Sequence, residues 1–333
     1  MSRAACAKWL SPAVVTRGNR LRAAVVVWLD MSTGGVMDMK KVLITGATGF
    51  VGGYVVDELL KAGHEVTALV RNPKKAAALE RSGIALAQGD VLDPASLESA
   101  AAGREVLVHL VGIIREKPGA DFEQMHHQAT VNAVRAAAAC GMERFVHMSA
   151  LGTRPHARSR YHQTKWRGEE AVRDAGIPFV IFRPSVIFGP GDEFISMLAE
   201  FFKNPLFVPV IGAGKAKLQP VYAGDVARCF AAAVDNPDAV NRVFELAGPA
   251  RYTMPQLLDV IGERLGRRRA KLHMPEALAK PMARAMEKLM PEPPLTTDQL
   301  TMIREDNTGD PAPAAEVFQL DFVRLESILP EYI

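Results

Sequence analysis

The sequence predicts an α/β protein: a doubly wound parallel sheet with helices on both faces, followed by a smaller C-terminal α/β region. Three observations carry this. From Lys41 onward, short runs rich in Val and Ile alternate with Ala-rich helical stretches, the pattern of strand–helix–strand units whose sheet is buried on both faces. The first of these runs leads straight into glycines at Gly46, Gly49 and Gly52. After Pro184 the rhythm breaks into loops containing Gly and Pro, where a second region begins.

Taken in order, residues 1–38 precede the first strand, lack periodicity, are rich in Arg and Ala and are nearly free of acids. They read either as a transit-like extension or, preferably, as the product of a start placed too far upstream. Six strands follow at 42–45, 65–70, 84–88, 106–111, 145–149 and 179–182. The helices between them stop at Gly63 and Gly141, positions suited to a C-terminal cap. Residues 39–184 are thus the first domain. Residues 185–333 form the smaller second one, with the chain free to cross back to the sheet, and carry amphipathic helices at 254–265 and 275–290. The second of these is read as a cover for the small domain's core.

Composition narrows the function classes. Hydrophobic residues make up 48% and charged residues 23%, with 40 basic and 37 acidic side chains for a net charge of +3, which is too balanced for a nucleic-acid-binding protein. The three cysteines are far apart and show no metal-ligand or disulfide spacing. No run of about 18 apolar residues is present, so a membrane-spanning helix is not expected.

The segment Val42-Leu-Ile-Thr-Gly46-Ala-Thr-Gly49-Phe-Val-Gly52 sits between a strand and a helix that carries Val51, Val55 and Leu59 on one face. This context defines a Rossmann-type dinucleotide site. Gly46 permits the tight turn, Gly49 lets the backbone approach a pyrophosphate, and Gly52 lets helix and strand pack closely. The N–H groups and dipole of the helix start, with Thr48, Phe50 and Val51 in the turn, then hold the phosphates. At the end of the second strand Val70 is followed by Arg71 and no carboxylate. A guanidinium suits a 2′-phosphate, so NADP(H) is favoured over NAD(H). Asp90 and Val91 would meet the adenine, and Leu110, Val111 and Gly112 would line the opposite side.

Tyr161-His-Gln-Thr-Lys165 places a phenol and an ammonium four residues apart on one helical face. A neighbouring cation favours phenolate and lowers a pKa that is otherwise about 10. Ser149, at the carboxyl end of the fifth strand, would hydrogen-bond a substrate oxygen. His126 and His127 read as exposed helix residues, and His109 and His147 as satisfied core histidines.

These landmarks together resemble the extended and atypical short-chain dehydrogenase/reductases. The resemblance runs from Lys41 to about residue 250 and includes Phe182-Arg-Pro-Ser-Val-Ile-Phe-Gly-Pro-Gly-Asp192 and Gln219-Pro-Val-Tyr-Ala-Gly-Asp225. Within that superfamily the chain looks most like bacterial relatives of the accessory NADPH-binding subunit nine of the complex I alpha subcomplex. That narrower match rests on Val111-Gly-Ile-Ile-Arg-Glu116, Ser159-Arg-Tyr-His-Gln-Thr-Lys165, Lys217-Leu-Gln-Pro-Val-Tyr222 and Glu305-Asp-Asn307. The resemblance implies NADPH held by the glycine turn and Arg71, with Tyr161 and Lys165 at the nicotinamide ribose and Pro184 and Val186 lining that end. It also implies a cytoplasmic protein, peripheral on the inner membrane, whose partners are respiratory-complex subunits or a quinone- or lipid-like small molecule. Two functions stay open: a structural holder of NADPH, or an active NADP-dependent reductase, dehydrogenase or epimerase using Ser149, Tyr161 and Lys165. The apolar Leu110-Val-Gly112 departs from the polar segment that many active relatives carry there.

Overall fold

The computed structural model describes residues 39–333 except 77–78, 80–82 and 291–292; the extension read at 1–38 lies outside the described residues. The main sheet is built from β1 (Lys41–Thr45), β2 (Glu65–Val70), β3 (Ala85–Gln88), β4 (Val106–His109), β5 (Arg144–Met148) and β6 (Phe179–Pro184). These are the six strands expected, with ends shifted by one or two residues. A seventh comes from far along the chain. The segments β7 (Ile187–Phe188), β8 (Phe207–Ile211), β9 (Lys217–Leu218) and β10 (Val221–Tyr222) build the smaller region before β11 (Arg242–Leu246) returns to pair with β6. Two more short strands, β12 (Tyr252–Thr253) and β13 (Ala270–Met274), pair with β9 and β8.

The sheet order is β11-β6-β5-β4-β1-β2-β3, with every pair parallel. The fold class read from the sequence is therefore the one found. Alternation along β1 explains its double burial: Val42 and Ile44 face one apolar cluster and Leu43 the other. On the first face lie α1 (Phe50–Lys61), α6 (Ala223–Ala232) and α10 (Ala312–Phe318). On the second lie α2 (Pro94–Ala101), α3 (Ala129–Ala139) and α4 (Arg160–Arg173).

The smaller region has its own core, in which Phe188, Ile195, Phe202, Val210, Leu257 and Ile261 meet. Its helices are α5 (Phe194–Glu200), α7 (Met254–Arg264), α8 (Glu276–Leu289), α9 (Thr297–Met302) and α11 (Leu325–Ile328). One expectation needs correction here. The helix read as a core cover, α8, fully buries only Ala279 and Ala283, in a small cluster with Leu300, and leaves Leu278 and Leu289 exposed.

Candidate functional site

The strand order reverses between β1 and β4, and in open α/β sheets ligands bind in the crevice at that switch point. The two segments that flank it are in contact. Gly46 turns the chain at φ +83°, and a Cβ on it would lie 3.2 Å from Leu110. A Cβ on Gly52 would lie only 2.2 Å from Gly46 O, so the start of α1 is seated directly on the turn. Thr48 and Gly49 are exposed above it, and Val51 is buried. This cradle fits a pyrophosphate: bare backbone, a helix start without a side-chain cap, and glycine where any side chain would intrude.

The rest of the predicted cofactor set lies along the carboxyl ends of the strands. Arg71 is exposed just past β2. Asp90 follows β3, but its Oδ1 accepts from Leu92 N (2.9 Å), so that oxygen braces the local turn, and Val91 is buried. Pro184 ends β6, and its carbonyl accepts from Leu151 N (2.8 Å). The Val186 N–H donates to Asn307 Oδ1 (3.0 Å). The Gly-Pro-Gly loop after β7 is fastened to α1 by the Tyr54 hydroxyl, which donates to Pro190 O (2.9 Å).

Gly112 joins the cradle to the Tyr–Lys helix. It is exposed, and a Cβ there would come within 2.8 Å of Lys165 Nζ, so glycine leaves room for the ammonium beside the crevice. Lys165 is itself buried and donates to Met148 O (2.9 Å). Burial pulls its pKa down to about 8, against an opposing pull from Glu169 one turn on.

Tyr161 departs from the expectation that its cation neighbour would lower its pKa. Its ring packs edge-on against His126 (5.0 Å between centroids), His162 (5.2 Å) and Phe122 (5.8 Å). Burial pushes the phenol up to about 12, while the Lys165 Nζ is engaged by Met148 O. His126, read as exposed, is fully buried: its Nδ1 pairs with Thr164 Oγ1 (2.9 Å) and its Nε2 lies 2.9 Å from Ile113 O. His127, also read as exposed, is half-buried and pairs with Glu123 (2.7 Å). The reading of His109 holds, with Nδ1 paired to Thr45 Oγ1 (2.8 Å). His147 is also buried, yet neither ring nitrogen has a partner, and it stacks on His109. Burial holds the rings of His109, His126 and His147 well below the ordinary imidazole range, hence neutral.

Ser149 lies buried at the end of β5. Its hydroxyl donates to Glu169 Oε1 (2.5 Å). Glu169 is fully buried and also takes a two-pronged contact from Arg183 (2.8 and 2.7 Å) and one from Arg173 (2.5 Å). Sequence reasoning missed Glu169, although Tyr161, Lys165 and Glu169 repeat every four residues along one face of α4. It also missed Asp298, whose carboxylate accepts from the backbone N–H groups of Arg160 (2.8 Å) and Tyr161 (3.2 Å) and so caps α4 from the C-terminal region. Asn307, noted only as part of a motif, clips Ser185 and Val186 together through Oδ1.

The depressed Lys165 pKa has a measurable consequence. Below about 8 the ammonium is charged in both folded and unfolded chains, so the burial penalty stands in full; it fades as pH rises toward 10.5, where the folded chain has already lost the proton. Replacing Lys165 with Met is expected to raise stability near pH 7 by roughly 3 kcal/mol, at 1.36 kcal/mol per pKa unit, while weakening dinucleotide binding. Melting curves of both proteins should converge at alkaline pH. A variant that melts lower at neutral pH would contradict this.

Strand order, glycine cradle and the Tyr–Lys helix beside it define a dinucleotide-binding α/β protein. The chain belongs to the NAD dependent epimerase/dehydratase family, whose profile matches residues 42–247, and it has that family's NAD(P)-binding fold. It is 29% identical over 298 residues to the mitochondrial NADH dehydrogenase [ubiquinone] 1 alpha subcomplex subunit 9 of Arabidopsis thaliana, covering 87% of this chain and 70% of that protein. It is also 29% identical over 238 residues to a ceramide reductase of Caulobacter vibrioides, covering 71% of this chain and 74% of that one. Among solved structures, an NADPH-dependent quinone oxidoreductase from Escherichia coli complexed with NADPH superposes with a TM-score of 0.71 at 24% identity, over 87% of this chain and 99% of that one.

Proposed function

We propose that this chain holds NADP(H) as a tightly bound group and serves as an accessory subunit of a respiratory NADH:ubiquinone oxidoreductase, cytoplasmic and peripheral on the inner membrane. The observation that carries the reading is that two of the three proton-handling candidates are engaged within the protein and the third holds its proton. Ser149 donates to Glu169, Lys165 donates to Met148 O, and Tyr161 keeps its proton to about pH 12. The likeness to subunit 9 supports the same role.

In this reading residues 39–184 hold the cofactor and 185–333 meet the partner. Gly46, Thr48, Gly49, Phe50, Val51 and Gly52 would hold the pyrophosphate. Asp90 and Val91 would meet the adenine, and Leu110, Val111, Gly112, Tyr161, Lys165, Pro184 and Val186 the nicotinamide half. When bound, the nicotinamide supplies or accepts a hydride. Arg71 would pair with a 2′-phosphate. Its replacement by Ala is expected to weaken NADPH about tenfold or more, the worth of a hydrogen bond to a charged group, and to leave NADH unchanged. Equal losses for both nucleotides in a binding titration would remove the preference for NADP(H).

A second reading is an NADP-dependent reductase. It is favoured by the Tyr161–Lys165 pair beside Gly112 and by the likeness to a ceramide reductase. In it Tyr161 would pass a proton to or from the substrate oxygen, Lys165 would orient the ribose and Ser149 would position the substrate. Identifying the nucleotide released on denaturation, and assaying its oxidation against quinones, ketones, keto-lipids and sugar nucleotides, separates the two. The holder reading expects near-equal NADPH and no turnover. Turnover that vanishes in Tyr161→Phe would replace it with the reductase.

A further inference from the structure

We propose that α8, with the neighbouring edge of β8 and β13, is a docking surface for an anionic lipid bilayer. Among the described residues no helix is long and apolar enough to cross a membrane, so contact of this kind would lie along the surface. The apolar side chains are distributed to suit it. Of nine large apolar residues left exposed among the described residues, five are Leu206, Leu272, Leu278, Leu289 and Met290, within or directly adjoining the ends of α8 and the β8–β13 pair. Leu278 is 61% exposed, Leu289 82%, Leu206 72% and Leu272 53%.

The helix is built in three stripes. Ala279 and Ala283 pack inward against Leu300 of α9, and small side chains there let α8 lie close to the protein. Leu278, Met282, Met286 and Leu289 recur at helical spacing along another side of the helix, the two leucines exposed and the two methionines between them half-buried. Lys280, Arg284 and Lys288 form a basic stripe, with Arg267 and Arg268 exposed just before β13, and none of these five cations makes an ion pair among the described residues. The nearby carboxylates are engaged: Glu276 with Arg304 (2.6 Å) and Glu287 with Thr297 N (2.7 Å). Exposed leucines with unneutralised, long basic side chains match an acyl boundary beneath anionic headgroups, whereas a protein partner would not require the cationic excess.

The surface also adjoins the site. Arg115 donates to Pro293 O (3.3 Å), a few residues past α8, and to Glu193 (3.1 Å). It thereby fastens the loop bearing exposed Ile114 next to the α8–α9 connection, from which Asp298 caps the Tyr161 helix. A bilayer under α8 would lie beside the segment that borders the nicotinamide end. None of this depends on whether the nicotinamide turns over.

The test is flotation of the full chain with phosphatidylcholine vesicles with and without phosphatidylglycerol. Binding is expected only to the anionic vesicles, falling about tenfold or more when salt screens the headgroups and by a similar factor in Leu278→Glu/Leu289→Glu. A second variant, Lys280→Gln/Arg284→Gln/Lys288→Gln, should lose the anionic preference. Both alter exposed side chains, so their melting temperatures should match the wild type. The proposal is overturned if the chain ignores both vesicles, or if it floats equally well with Leu278 and Leu289 replaced. It is equally overturned if those replacements turn a dimer into a monomer on sizing while vesicle binding is absent, which would assign the surface to a second copy of the chain.

Discussion

Gly52→Val is expected to abolish dinucleotide retention, with the purified variant carrying no nucleotide and titrating at least ~100-fold more weakly than wild type. The atoms in the way are not flexible. A Cβ at this position lies 2.2 Å from Gly46 O and 2.7 Å from Ala47 C and O, all backbone of the turn itself, so α1 must back away from β1. That moves the first-turn N–H groups that would hold the phosphates. Losing two hydrogen bonds to a charged group, at about 1.5–3 kcal/mol each, accounts for the expected loss of affinity. The overpacking should cost about 1–3 kcal/mol, a drop of a few degrees in melting temperature, so the variant folds and the binding defect can be read. Gly53→Ala is the matched control, because its Cβ would meet nothing within 4 Å. If Gly52→Val keeps bound nucleotide at wild-type occupancy, the cradle is not the phosphate site.

This prediction rests on the part of the molecule that was most legible in the sequence, and the reason is locality. A strand, a turn with fixed glycine spacing and an amphipathic helix are all encoded within residues 42–61, where each signal supports the next. The seventh strand, β11, was not among those read. It carries Arg242 and Glu245 and pairs with β6 only after the chain has built the smaller region, so nothing local marks it. His126 misled for a different reason. Residues Glu123–Gln128 form a π-helical turn, whose wider winding rotates the face that ordinary helical spacing assigns, and the ring turns inward. The burial of α8 was misjudged because an amphipathic pattern reports two unlike faces but not which one the protein covers. In α4 the Tyr161–Lys165 face was legible from spacing, whereas the carboxylate one turn further gains its meaning from Arg183 on β6, a contact no local pattern records.

That carboxylate supplies the largest stability effect expected. Glu169 is fully buried, and its two oxygens accept from Arg183, Arg173 and Ser149. Glu169→Ala leaves Arg183, whose side chain is only 18% exposed, without its counter-charge, and removing one partner of a buried pair costs about 3–5 kcal/mol. At roughly 2–4 °C per kcal/mol for a domain of this size, the melting temperature should fall by about 10 °C. Glu169→Leu combined with Arg183→Leu should recover much of the loss, since both buried charges then go together and Arg173 retains a route to solvent. Ser149→Ala should cost only about 1 kcal/mol, the net worth of one hydrogen bond, and leave NADPH retention intact, because that hydroxyl gives its proton to Glu169 and not to a ligand. Melting curves of the three variants test the network as a unit. A Glu169→Ala protein that melts within a degree of wild type would mean the arginines find other partners. Ser149→Ala with unchanged stability but lost turnover would return Ser149 to the substrate and favour the reductase.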